Sequence, residues 1–321
     1  MVNFLKKNFL FLAPMAGFSN SVCRRICREY GADGAVSEFV YSRAVLCGAK
    51  RVLEKLSFCE CERPVGIQIF GSDPAEVADA ASLIEERLSP DFIDINFGCP
   101  APNATAAGAG AALLKNPKSM CDIISKTAAA LKKTPLTAKM RTGWDMSSII
   151  VPDAAKALAD VGAQMITLHG RTKSKGYEGE ADWRLIEETA AALSVPLIGN
   201  GSAEKLSAEF MRSSACAGFM IGRAALGNPW IFGQIKAKLA GSSEANFEPT
   251  PSDRAKLALR YAELMSGGEY DGIGAENLAH AKVQIMRFLK NAAGFKKLRV
   301  ELKNINTLDE LKKLLCEYTD C

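Results

Sequence analysis

The chain has 321 residues, enough to bury a large core in one big domain and leave room for a smaller one. Its hydrophobic fraction of 48% and charged fraction of 24% are typical of globular proteins, and no apolar stretch reaches the roughly 18 residues that span a membrane. A net charge of +4 does not by itself indicate a nucleic-acid partner. The N-terminal segment lacks the features of a secretion signal, so we expect a cytoplasmic protein whose ten cysteines are thiols.

Strand-like runs alternate with stretches of helical composition over the first three quarters of the chain. Eight β/α units in this length favour a (β/α)8 TIM barrel over a doubly wound sheet, and no Gly-x-Gly-x-x-Gly motif follows the first strand. Asp73-Pro74 and Asn116-Pro117 are typical helix starts, with the polar residue as the N-cap. The predicted strands are residues 9–14, 34–38, 65–70, 92–96, 136–140, 165–169, 197–199 and 218–221.

The end of the chain has a different organisation. A polar segment with two prolines at residues 241–251 is typical of a linker, and helical periodicity follows at residues 254–265, 277–291 and 308–317. We therefore predict a barrel domain over residues 1–242 and a small all-helical domain over residues 251–321. The stretch 282–303 carries seven cations against one acid. It is either a solvated helix face or a surface that faces phosphates.

Cys99 follows an apolar strand within Asn96-Phe97-Gly98-Cys99-Pro100. This places a thiol at the carboxyl end of a barrel strand, where such barrels carry their chemistry. No base is adjacent in sequence, and a thiol with a pKa near ~8.5 keeps its proton at neutral pH. Cys99 could therefore act as a nucleophile or as an acid, and a thiol can donate a proton without being activated. With only two histidines and no paired Cys-x-x-Cys motif, we predict no metal site.

Other strand ends carry complementary chemistry. Lys139 and Arg141 are two apart on one strand, so both side chains can face the barrel mouth and stabilise an anion. Gln68 presents a donor and an acceptor in one plane, which suits the edge of a ring with an imide. The turns at Asn200-Gly201 and Gly222-Arg223 come where these barrels bind phosphate. Together these groups predict an FMN site.

The motifs at these strand ends closely resemble those of the tRNA-dihydrouridine synthases. The resemblance covers residues 10–232 in family order. It rests on Leu12-Ala13-Pro14-Met15-Ala16-Gly17, Gln68-Ile69-Phe70-Gly71-Ser72-Asp73-Pro74, Ile93-Asp94-Ile95-Asn96-Phe97-Gly98-Cys99-Pro100, Lys139-Met140-Arg141-Thr142-Gly143-Trp144, His169-Gly170-Arg171-Thr172, Gly179-Glu180-Ala181-Asp182-Trp183, Ile198-Gly199-Asn200-Gly201, Met220-Ile221-Gly222-Arg223-Ala224 and Gly227-Asn228-Pro229-Trp230.

The resemblance implies a monomeric FMN barrel with a helical RNA-binding domain that reduces uridine in tRNA at the expense of NADPH. It implies that Cys99 protonates C5 of the base. Ser202, in place of the family's usual acidic residue, and the uncharged loop 101–108 are departures from the family pattern. By resemblance, the substrate contacts are Asn96, Arg141 and Arg171, and the FMN contacts are Pro14, Met15, Ala16, Gln68, Lys139, His169, Asn200, Gly201, Ser202, Gly222 and Arg223.

Two alternatives stay open from the sequence. A related FMN barrel could act on a free pyrimidine, as a dihydroorotate dehydrogenase does, but it would have no use for a basic helical domain. A tRNA-binding protein without catalysis would have no use for Cys99, Lys139 and Gln68 together. Bound flavin would separate a binding protein from an enzyme, and turnover on tRNA against free uracil would separate the two enzymes.

Overall fold

A computed structural model describes residues 2–48, 52, 55–266, 277–290 and 295–319. The chain divides into two compact units. One consists of Met1–Ser21 and Ala32–Gly222, and the other of Val22–Gly31 and Arg223–Cys321. The boundary at residues 242–251 stays a prediction.

Parallel strands form the centre of the first unit. All eight predicted strands are present, each within two residues of its expected ends, and one short strand that the sequence did not predict, Val40–Tyr41, is added. The strands are β1 (Phe9–Leu12), β2 (Gly34–Val36), β3 (Val40–Tyr41), β4 (Val65–Phe70), β5 (Phe92–Phe97), β6 (Leu136–Arg141), β7 (Ile166–His169), β8 (Leu197–Asn200) and β9 (Gly218–Ile221).

The sheet closes on itself. Its order is β2-β1-β9-β8-β7-β6-β5-β4-β3, and β2 also pairs with β4. β2 pairs with Val65 and Gly66 at the beginning of β4, whereas β3 pairs with Ile69 and Phe70 at its end. The two short strands therefore share one position, and the closed sheet has the eight positions of a TIM barrel, as predicted.

Helices follow the strands, and their ends agree with the sequence signals. Asp73 accepts hydrogen bonds from the amides of Ala75 and Glu76, and Asn116 accepts one from the amide of Ser119. The helices are α1 (Ser21–Glu29), α2 (Ser42–Leu46), α3 (Pro74–Leu88), α4 (Pro102–Ala106), α5 (Pro117–Ala130), α6 (Asp153–Asp160), α7 (Trp183–Ala192), α8 (Ala208–Ser213), α9 (Ile231–Ala240), α10 (Pro251–Ser266), α11 (Asn277–Phe288), α12 (Phe295–Asn304) and α13 (Leu308–Thr319).

The second unit is helical. α10 packs against α11 and α13, with the rings of Tyr261 and Phe288 5.4 Å apart between α10 and α11. The three predicted helices are confirmed, and α12 is a fourth that the sequence did not predict. It lies inside the basic stretch, where the density of charge hides the apolar period set by buried Leu298 and Leu302. The side chain of Lys296 in this stretch lies outside the described residues.

The expectation that every cysteine is a thiol is wrong for one pair. Cys59 and Cys61 form a disulfide, with their Cα atoms 5.3 Å apart. Cys59 directly precedes the short helical turn Glu60–Glu62, and Cys61 lies within it. Cys99 is a free thiol.

Two properties of the described residues bear on the class of protein. None of their helices combines the length and the apolar character needed to cross a bilayer. Within the same ranges, no three side chains of His, Cys, Asp or Glu come together in the manner of metal ligands.

Candidate active site

Cys99 lies just beyond β5 at the carboxyl edge of the barrel, and it is 8% exposed. Its amide donates to Asn96 Oδ1 at 2.8 Å, and its carbonyl accepts from the amide of Ala111 at 3.0 Å. Gly110 allows the close approach, because its φ is +57° and a Cβ there would lie 3.3 Å from Cys99 Cβ. The backbone on both sides of the thiol is thus held in place.

The environment of the Cys99 thiol favours its protonated form. Burial raises the pKa of Cys99, while a hydrogen bond from the Ala101 backbone and the charges of Arg141 and Lys139 act in the opposite direction. A thiol in this state can donate a proton but is not activated as a nucleophile. The raised pKa agrees with the expectation that the Cys99 thiol is an acid.

A chain of hydrogen bonds leads from Cys99 into the barrel. Asn96 Nδ2 donates to Gln68 Oε1 at 2.7 Å, and Gln68 Nε2 donates to Asp94 Oδ2 at 2.6 Å. Thr137 Oγ1 donates to the other oxygen of Asp94 at 2.6 Å. All four of these side chains are buried, and Gln68 has no exposed surface. The side-chain amide of Gln68, which is predicted to contact FMN, therefore forms hydrogen bonds with Asp94 and Asn96 in the structure. Its contact with the cofactor stays a prediction.

Lys139 lies half-buried near the carboxyl end of β6. Its Nζ donates to Asn200 Oδ1 at 3.1 Å, so two residues predicted to hold the cofactor are in direct contact. Burial and the charge of Arg141 lower the pKa of Lys139 to about 8, although Asp94 and Cys99 act to raise it. The ammonium form still predominates at pH 7.

Arg141 is on the same face of β6, as the sequence predicts, and it binds backbone carbonyls of two loops. Its Nε donates to Gly98 O at 3.0 Å, and its Nη1 donates to Thr172 O at 3.0 Å and to Gly176 O at 2.9 Å. Its guanidinium lies 5.7 Å from the centre of the exposed Tyr177 ring. Arg141 thus joins the loop that carries Cys99 to the loop after β7. Its contact with uracil stays a prediction.

Arg171 is also buried and organises the loop after β7. It donates to the carbonyls of Glu178 and Gly179, and its Nη2 donates to Ser202 Oγ at 3.0 Å. Its Nη1 lies 3.2 Å from His169 Nε2. The structure therefore brings Arg171, a predicted substrate contact, together with two predicted cofactor contacts, His169 and Ser202.

The turn after β8 is tightly held. Asn200 Nδ2 donates to Met220 O at 2.8 Å, and Trp183 Nε1 donates to Gly201 O at 2.9 Å. Gly201 has a φ of +114°, and a Cβ there would lie 2.8 Å from the imidazole of His169. Glycine is required here on both counts.

The turn after β9 is more open. A Cβ on Gly222 would meet only Ala13 Cβ at 3.7 Å and Met15 Sδ at 4.0 Å. Pro14 and Met15 are half-buried, and Ala16 and Arg223 are exposed at the beginnings of their loops. Their contacts with a cofactor stay predictions.

Sequence reasoning missed Asp94 and Thr137. Asp94 is the one charged residue in the buried strand β5 and contacts both β4 and β6 through hydrogen bonds. A carboxylate inside an apolar run was a usable signal, because such a group is buried only with partners. Thr137 gave no such signal, since threonine is common in strands.

The family model "Dihydrouridine synthase (Dus)" matches residues 11–320. The chain belongs to the dihydrouridine synthase family. A probable tRNA-dihydrouridine synthase of Aquifex aeolicus is 36% identical over 97% of this chain and 96% of its own length. The tRNA-dihydrouridine synthase B of Pasteurella multocida is 36% identical over 80% of this chain and 77% of its own length.

Solved structures support the fold. A 6-hydroxypseudooxynicotine amine oxidase from Pseudomonas geniculata superposes with a TM-score of 0.58 at 12% identity, over 80% of this chain and 50% of that one. Histamine dehydrogenase from Rhizobium sp. 4-9 gives a TM-score of 0.54 at 11% identity, over 98% of this chain and 63% of that one. At such identities the likeness concerns the barrel and not the chemistry.

Proposed function

We propose that this chain reduces uridine in tRNA to 5,6-dihydrouridine, with FMN as cofactor and NADPH as the source of reducing equivalents. Membership of the family and the names of its relatives support the substrate class. The observation that carries the proposal is a buried thiol, Cys99, whose burial favours the protonated form at the carboxyl edge of the barrel. Saturating a carbon–carbon double bond requires one hydride and one proton, and in this proposal Cys99 supplies the proton.

The residues at this edge fit FMN. The backbone at Gly222 is open to close approach by a ligand, and the turn at Gly201 is held rigid by Trp183. Backbone amides in such turns bind phosphate, and Arg223 adds a positive charge beside them. Lys139 would place an ammonium group near the ring, where it would stabilise developing negative charge. Bound FMN would supply the hydride.

The chain's own residues then have separate tasks. Cys99 gives its proton to C5 of the base. Lys139 is mostly charged at pH 7, and its ammonium group stabilises negative charge that develops near Lys139 during the reaction. Arg141 and Asn96 each bind the backbone of the Cys99 loop, and their contact with the uracil is part of this proposal. In a folded tRNA the target base must leave its stack to reach this depth.

The test is to express the chain in a bacterial strain that lacks its own dihydrouridine synthases. We expect dihydrouridine to reappear in the tRNA, measured by mass spectrometry of digested nucleosides, and the purified protein to carry one non-covalent FMN. Turnover on free uracil or orotate but not on tRNA would indicate the free-pyrimidine enzyme. A colourless protein that binds tRNA without reducing it would indicate a binding protein.

A further inference from the structure

Asp94 is a buried carboxylate that the proposed chemistry does not use. It is 2% exposed and lies at the middle of β5. Its two oxygens accept from different strands, Oδ2 from Gln68 on β4 and Oδ1 from Thr137 on β6. Lys139 on β6 is the charged group that acts on it. Arg141 and Cys99 lie nearer the edge and act on Lys139.

The hydrogen bonds from Asp94 to Cys99 have one direction. A carboxylate only accepts, so the amide nitrogen of Gln68 must face Asp94 and its oxygen must face Asn96. Asn96 then turns its nitrogen toward Gln68 and its oxygen toward the loop. That oxygen accepts from the amides of Gly98 at 2.9 Å and Cys99 at 2.8 Å.

Without the carboxylate this direction is set from one end only, by the two backbone amides that donate to Asn96 Oδ1. Side-chain amides present a donor and an acceptor of nearly equal shape, so the Gln68 amide could then turn over in the same space. A reversed Gln68 would point its nitrogen at Asn96 Nδ2 and remove the bond that holds Asn96 against the Cys99 loop. We propose that Asp94 is a positioning residue, whose carboxylate holds the Gln68 amide in the orientation that Asn96 needs and so supports the backbone that carries Cys99. The catalytic part of this inference rests on the proposed function.

A purely structural role for Asp94 is physically unfavourable. Burial raises the pKa of Asp94 to about 6, against the hydrogen bonds from Thr137 and Gln68 and the charge of Lys139. When the pKa of a carboxyl group is higher in the folded than in the unfolded state, its ionisation lowers the stability of the fold as pH rises above the unfolded-state pKa. Replacing the carboxylate by a neutral amide of the same size is therefore not expected to destabilise the protein at pH 7.

Three variants separate the roles. Asp94→Asn keeps the shape but removes the obligate acceptor. Thr137→Val removes one hydrogen bond to the carboxylate, so it should raise the pKa of Asp94 and leave the bond from Gln68 in place. Thr127→Val is the matched control, since it removes a buried hydroxyl on α5 that lies outside this chain of hydrogen bonds.

The first readout is the single-turnover rate of uridine reduction from pH 5 to 8. We expect an acid limb near pH 6 in the wild type, a limb at higher pH in Thr137→Val, and no change in Thr127→Val. In Asp94→Asn we expect the limb to vanish and the maximal single-turnover rate constant to fall roughly 10–100-fold, with an unchanged tRNA concentration at half-maximal rate and a melting temperature at pH 7 no lower than the wild type. A wild-type rate for Asp94→Asn across this range, or a decrease in rate that follows a lower melting temperature, would overturn the proposal.

The second readout needs no substrate. The chain has four glutamines, so in protein labelled with ¹⁵N at glutamine the Gln68 side-chain signal can be assigned by its disappearance in Gln68→Leu. We expect this signal to titrate near pH 6 in the wild type, at higher pH in Thr137→Val, and not in Asp94→Asn. A Gln68 signal that does not change with pH in the wild type would overturn the coupling between Asp94 and Gln68. Titration in a protein that makes no dihydrouridine would instead contradict the proposed function.

Discussion

At the scale of single residues, burial alone does not make a reactive thiol. Cys216 is buried as well, and burial raises its pKa to about 12, against a hydrogen bond from Ser214 and with a smaller contribution from the charge of Glu187. Cys99 differs in its neighbours, because the positive charges of Lys139 and Arg141 oppose the effect of burial. Cys99 therefore favours its protonated form yet has cations close by, which would stabilise the thiolate that the proposed proton transfer leaves.

Changing Cys99→Ala should remove the acid and nothing else. We expect the reduction of bound flavin by NADPH to keep its wild-type rate, because that step needs no thiol. Uridine reduction should fall by roughly 10²–10⁴, the usual contribution of a positioned acid. Stopped-flow measurement of the two half-reactions checks this, with Cys121→Ala on α5 as the control. Equal decreases in both halves would show that Cys99 supports the fold and not the proton transfer.

At the scale of elements, one carboxylate joins two consecutive β/α units. Glu85, near the end of α3, accepts hydrogen bonds from the amides of Lys132, Lys133 and Thr134 at 2.9, 2.9 and 2.6 Å. These amides lie in the turn between α5 and β6. Burial by itself would raise the pKa of Glu85, but the three backbone hydrogen bonds lower it to about 2. The contact lies before the amino end of β6, whereas Cys99 follows the carboxyl end of β5.

Changing Glu85→Ala should lower the free energy of unfolding at pH 7 by about 2–4 kcal/mol, because three amides, that of Thr134 buried and the other two partly buried, would be left without their charged acceptor. A depressed carboxyl pKa stabilises the folded state above the unfolded value of ~4.3, and this contribution disappears as pH falls toward 2. The loss of unfolding free energy in Glu85→Gln, relative to the wild type, should therefore become smaller as pH falls from the unfolded-state pKa toward 2. Urea denaturation at several pH values measures it, and the exposed neighbour Glu86→Ala should behave as wild type. A deficit that is independent of pH would contradict the assignment.

At the scale of the whole molecule, charge is distributed unevenly. The stretch 282–303 has seven cations against one acid, while the chain as a whole carries only +4. Within it, Lys297 pairs with Glu301 at 3.8 Å, and Val300 is 61% exposed on the same helix, α12. A positive surface on a helical unit suits phosphate contacts, which act without regard to base sequence.

Replacing Lys290, Lys296, Lys297 and Arg299 together by Ala should weaken tRNA binding and lower its salt dependence. The slope of log K against log salt should fall by about one for every phosphate that the protein no longer neutralises. Flavin content and NADPH oxidation should not change, because they depend on the barrel. Binding titrations at several salt concentrations measure the slope.

The control is a second fourfold variant with the same change of net charge. It replaces the exposed Lys118, Lys126, Lys132 and Lys133, on α5 and the turn that follows, by Ala. We expect wild-type binding from it. Equally weakened binding in both variants would indicate an effect of net charge only, and wild-type binding by the first would show that stretch 282–303 is a solvated helix face.

Local signals in the sequence are enough to predict the barrel and the order of its strands, and they predict the candidate site at the carboxyl edge. Short apolar runs bounded by Gly, Pro and Asn are local signals, and each strand-end motif lies within a few residues of its strand. The carboxyl ends of parallel strands meet at one edge of a barrel, so Cys99, Lys139 and Asn200 could be expected to come together before any coordinates.

Contacts between residues that are distant in the chain could be seen only in the folded structure. The partners of Asp94 come from two other strands, and the burial that raises its pKa comes from the closed barrel. Arg141 and Arg171 looked like groups free to meet a substrate, but they bind loop carbonyls, because buried guanidinium groups need acceptors. Hydrogen-bond direction and desolvation depend on the surroundings of a group in three dimensions, and no local pattern of residues records them.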